Sequence, residues 1–61
     1  MAWEDGVVNS VHLLIEAADY ADNGSRKREL LTQALTSARV VTDDYQRDNL
    51  VKLIEDKLRS L

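Results

Sequence analysis

Ala21-Asp22-Asn23-Gly24-Ser25-Arg26-Lys27-Arg28-Glu29-Leu30-Leu31 decides how this chain folds, because it joins a stop signal to a start signal. Gly24 suits the left-handed position that follows a helix, where a Cβ is penalised. Ser25 suits an N-cap, its hydroxyl accepting from an orphan backbone N–H of the first turn. A second start stands at Thr42-Asp43-Asp44, with Asp43 and Gln46 at capping-box spacing. The two points divide the chain into helices at roughly 4–22, 26–41 and 44–60. The expected fold is all-α, a three-helix up-down-up bundle in which residues 1–61 form a single domain.

Outward from the turn, each segment shows helical rather than alternating periodicity. In the second, Leu30, Leu31, Ala34, Leu35, Ala38 and Val41 share an arc of about 140°. In the third, Leu50, Val51, Leu53, Ile54, Leu58 and Leu61 span about 160°, and Arg47 falls inside that arc near its start. That arginine is expected to snorkel past the end of the core or to meet an acid of the first helix. The first segment is wider. Val7, Val8, Val11, Leu14, Ile15, Ala18 and Ala21 form one stripe, and Leu13, Ala17 and Tyr20 extend it to about 240°. Two neighbouring helices cover less than that. Either the first helix sits centrally, or its Leu13/Ala17/Tyr20 edge meets another chain, and the second is the preferred reading.

Composition narrows the function. No cysteine is present and His12 is the lone histidine, which excludes disulfides, thiolate sites and imidazole-rich metal sites. With 61 residues, stability must come from well-matched packing or from association. Net charge is −3, so no basic nucleic-acid footprint is expected. No apolar run is long enough for a membrane span. The acidic start Met1-Ala2-Trp3-Glu4-Asp5 does not read as a leader, so a cytoplasmic setting is the default. Charge is partitioned: residues 1–24 carry acids and no base, whereas Arg26, Lys27, Arg28 and Arg39 face only Glu29 in residues 25–41. That contrast favours packing the first two helices side by side, although exposed pairs contribute only about 0–1 kcal/mol each. Proline and phenylalanine are absent where about three prolines would be usual, which fits all-α and also fits an engineered or designed scaffold. Gly6, Asn9, Ser10 and His12 inside a helix are choices that an idealising design avoids.

The candidate motifs are few. His12 and Glu16 stand one turn apart but lack a third ligand, and read as a solvated pair. Asp19-x-Ala21-x-Asn23-Gly24 has the glycine of a calcium loop, yet Ala21 and Leu30 occupy positions that need oxygen donors. Asn23-Gly24-Ser25 also matches a glycosylation acceptor and reads as turn chemistry. Arg26, Lys27 and Arg28 oppose the macrodipole of the second helix, and beside free N–H groups they could hold a phosphate or an acidic segment. Local neutralisation by Asp19, Asp22 and Glu29 is the plainer reading. Trp3 either caps the core or anchors an interface. No catalytic triad is available and no cofactor is implied, so the chain is not expected to be an enzyme. Residues 28–35 also align on residues 47–54, an echo that two amphipathic helices produce by chance.

The stretch Ala34-Leu35-Thr36-Ser37-Ala38-Arg39-Val40-Val41-Thr42-Asp43-Asp44-Tyr45-Gln46-Arg47-Asp48-Asn49-Leu50 resembles the repeat texture of α-solenoid proteins. Ala17-x-x-Tyr20-Ala21-x-Asn23-Gly24 is similar to the first helix of a tetratricopeptide-like unit. The closing proline of such a unit and its tryptophan-leucine-glycine start are missing. A microtubule-interacting-and-transport-type three-helix domain is an equally loose likeness. Both resemblances imply an interaction module that binds peptides or helices, and neither transfers a site residue. The expected function is therefore protein association, by self-association into a homodimer or with a partner helix, through Leu13, Ala17 and Tyr20 with Trp3. An anion- or phosphopeptide-binding adaptor using Arg26, Lys27 and Arg28 is the alternative.

Overall fold

A computed structural model describes the backbone of residues 2–61 and the side chains of residues 6–61. Three helices follow in order: α1 (Ala2–Tyr20), α2 (Gly24–Ala38) and α3 (Asp44–Arg59). Short connections at 21–23 and 39–43 turn the chain back each time, so α1 and α3 run parallel and α2 runs against both. The bundle measures 35 × 18 × 13 Å. Its accessible surface of 4255 Å² is close to the roughly 4,000 Å² typical of a folded monomer of this mass.

Local chemistry explains each boundary, and it corrects the first turn. Asn23, not Ser25, is the N-cap of α2: its backbone is extended at φ −132° and ψ 159°, and its Oδ1 accepts from the Arg26 N–H at 2.8 Å. Gly24 is the first helical residue, and no glycine has positive φ. An amide oxygen on a short side chain reaches the first turn well, which leaves Gly24 with no left-handed task. The Ala21 N–H donates to the Ala18 carbonyl at 3.2 Å, tightening the end of α1 into a 3₁₀-type turn. The Asp43 cap is as expected: its Oδ1 accepts from the Gln46 N–H at 2.8 Å. Asp44 opens α3 and Lys57 and Arg59 close it, each sign matching the helix dipole.

The second helix also ends three residues earlier than the periodicity suggests. The run Val40-Val41-Thr42 is β-branched throughout and propagates a helix poorly. Val41 leaves the helix, its N–H donating to the Ala38 carbonyl at 3.1 Å, and its side chain is almost wholly buried. It plugs the end of the core from the connection.

The core is one cluster of Val11, Ile15, Ala18, Leu30, Leu31, Ala34, Ala38, Val41, Leu50 and Ile54. No polar or charged side chain is buried with them among the described residues. The middle helix packs most extensively on α1 and also on α3, while α1 and α3 approach each other less closely. That looseness leaves Leu53 41% exposed, whereas Leu61, expected in the same apolar arc and 45% exposed, lies past the end of α3. Two core residues, Leu50 and Ile54, supply the buried face of α3.

Ile54 is fully buried, so Ile54→Ala should cost about 2–5 kcal/mol. A chain of this length holds only about 3–9 kcal/mol, and urea unfolding followed by circular dichroism will show most of that lost. Gly24→Ala should instead stabilise by about 0.4–1 kcal/mol, because the position is helical and a Cβ there meets nothing within 4 Å. A glycine held at positive φ would give the opposite sign in the same titration.

Candidate protein-association surface

The three residues expected at the edge of α1 lie together and open to solvent. Leu13 is 64% exposed, Tyr20 is 86% exposed, and Ala17 between them is also exposed. The buried face of the same helix is Val11, Ile15 and Ala18. At about 100° per residue, Leu13, Ala17 and Tyr20 fall on one strip roughly opposite that face. Two large side chains, Leu13 and Tyr20, exposed on that one strip are the departure from a plain amphipathic helix. The fourth interface residue named from sequence, Trp3, lies outside the described side chains.

Following the same 3–4 spacing toward the start of α1 adds two residues that sequence reasoning missed. Ser10 and Gly6 are both exposed, and the Ser10 Oγ donates to the Gly6 carbonyl at 2.9 Å. That bond satisfies the hydroxyl within its own helix, so the strip reads small, small, Leu, small, Tyr from Gly6 to Tyr20. The heptad-like spacing was available in the sequence as the signal for them.

A second feature emerges only from the tertiary structure. Val8 and His12 of α1 and Gln46, Asn49, Leu50 and Leu53 of α3 line a shallow groove of about 260 Å³. Its lining joins apolar Val8, Leu50 and Leu53 to His12 and two amides, whereas three other surface hollows are each lined in part by arginine, lysine or carboxylate side chains. His12 and Glu16 form no metal cluster: no group of three or more potential ligands occurs among the described residues.

The basic triplet is dispersed. Arg26 pairs with Glu29 at 3.1 Å, and the N–H groups of Arg26 and Lys27 donate to Asn23, at 2.8 Å to its side chain and 3.1 Å to its carbonyl. Lys27 lines a hollow with Asp19 and Lys57, whereas Arg28 lines another with Gly24, Ser25 and Leu61. With Gly24 and Ser25 opening the helix, the triplet begins at the third helical position, two later than expected, and the Arg26 N–H is already taken by the Asn23 cap. Glu29 thus neutralises Arg26 locally, and Asp19, beside Lys27 in one hollow, also accepts from Lys57 Nζ at 3.1 Å, tying α3 to α1.

Arg47 takes the first of its two expected courses and reaches out past the end of the core. It meets no acid of the first helix in the ion pairs observed: Nη2 donates to Asp44 Oδ1 at 2.6 Å, and Nη1 reaches the Val41 carbonyl at 3.3 Å. A guanidinium fork suits that double task at the helix start, and it ties the connection carrying Val41 to α3. Arg59 and Asp56 pair near the end of α3.

No helix among the described residues is long and apolar enough to cross a membrane. Comparison with protein families, with curated proteins and with solved structures gives no match to this chain.

The Asp19–Lys57 pair is partly exposed on both sides. Lys57→Met should therefore cost no more than about 1 kcal/mol, and high salt should shrink that cost further. Thermal melts of both chains at low and high salt check this.

Proposed function

We propose that this chain is a small helical protein-association module and that the α1 strip centred on Leu13, Ala17 and Tyr20 is its contact surface. One observation carries the reading: a leucine and a tyrosine, 64% and 86% exposed, stand about two turns apart on one helix. Their intervening residue is small, which gives a partner helix room to approach. Tyrosine is favoured where an apolar body must be buried and a hydroxyl kept wet. The small core points the same way, because a 61-residue chain gains disproportionately from any further area that association hides.

Sedimentation of the wild-type chain and of Leu13→Glu tests the reading. The wild-type mass should rise above 6.9 kDa with concentration, while the variant should stay at that mass with unchanged helicity. Glutamate is a good helix former, and Leu13 contributes little to the core, so the folded chain should change by no more than about 0.5 kcal/mol. Equal masses for the two chains at every concentration would remove this strip as the contact.

A further inference from the structure

We infer that the strip is covered by a second copy of itself, running antiparallel, in the register that sets Leu13 against Ala17 of the second copy. This rests on the proposed association through α1 and adds the occupant, the orientation and the register. Side-chain size decides the pairing. Reading Ser10, Leu13, Ala17 and Tyr20 along the helix gives small, large, small, large. Reversed and laid on itself about a two-fold axis near Ile15, the series places Ser10 against Tyr20, Leu13 against Ala17, and the same pairs again by symmetry. Every large side chain then meets a small one, which is the condition for interdigitated layers. The contact is isologous, so it closes at two copies. A parallel arrangement fails the same test. It would set Leu13 on Leu13 and Tyr20 on Tyr20, with gaps at Ser10 and Ala17 between them.

The backbone agrees with this orientation, and one side-chain charge opposes it. Ser10 keeps its hydroxyl bonded inside its own helix, so packing Tyr20 over it strands no donor. Antiparallel helices set opposite dipole ends side by side. Glu16 borders the strip, one turn beyond Leu13 and exposed, and the two-fold brings its two copies close. That repulsion and the limited area, roughly half of the ~800 Å² per partner of a standard interface, make the pair weak and reversible. Added salt should therefore tighten it, the reverse of an association held by opposite charges.

The absence of cysteine makes the test clean. Leu13→Cys and Ala17→Cys chains are mixed at high micromolar concentration and oxidised, with Lys52→Cys, exposed on α3, as the collision control. The mixed 13–17 disulfide should form well ahead of 13–13, 17–17 and the control, and sedimentation of Glu16→Gln should show association tighter by about twofold or more. Helicity of each variant is checked by circular dichroism. Dominant 13–13 and 17–17 products would overturn the register while leaving association through α1 standing. Cross-linking no faster than the control, or a wild-type chain that stays monomeric throughout, would overturn both.

Discussion

Two alanines in the middle helix govern how this molecule holds together. Ala34 and Ala38 are both fully buried, and their small side chains let α1 and α3 close on α2 from either side. The remaining core residues are Val, Leu, Ile and one further Ala, and they complete a single apolar cluster around that helix. By local rules α2 has its Asn23 cap, yet it opens with Gly24 and its first turn carries bases and no acid. By contrast α3 has its cap, its leading acid and its trailing bases in place, yet contributes only Leu50 and Ile54 to the buried set. Tertiary packing, more than chemistry at the helix ends, decides how much of each helix is buried. Ion pairs add little, since those seen lie on half-exposed or exposed side chains.

Much of this was legible from residue spacing. The apolar periodicity placed Val11, Ile15, Ala18, Leu30, Leu31 and Ile54 in the core, because each helix has one direction of strongest burial whatever its neighbours are. The Asp43 cap was legible for a similar reason: it depends on residues within four positions of each other. The errors arose where two local readings compete. Asn23, Gly24 and Ser25 can each begin or end a helix, and the choice of Asn23 as the cap shifts α2 by two residues. Val41 fits the helical arc by angle but sits in the connection, where it closes the core from outside the helix.

Features built from two distant segments were beyond sequence reasoning. The groove between α1 and α3 requires knowing that those helices pack loosely, which also leaves Leu53 in view. Spacing left Arg47 between snorkelling and a distant acid, and did not single out Asp44, three residues before it, as the partner. The α1 strip lies at the other extreme. An apolar arc too wide for two neighbours is a property of one helix, and its exposed part can be named before any packing is known.

The odd number of helices has a mechanical consequence. The parallel course of α1 and α3 carries the start of one and the end of the other to opposite poles of a body 35 Å long. The Asp19–Lys57 tie sits near the pole where α3 finishes. Tension applied through the two ends of the chain would therefore slide helices lengthwise past one another instead of peeling one away. The buried contacts along α2 would be strained together, as in a lap joint, so even this small core would resist pulling as a unit.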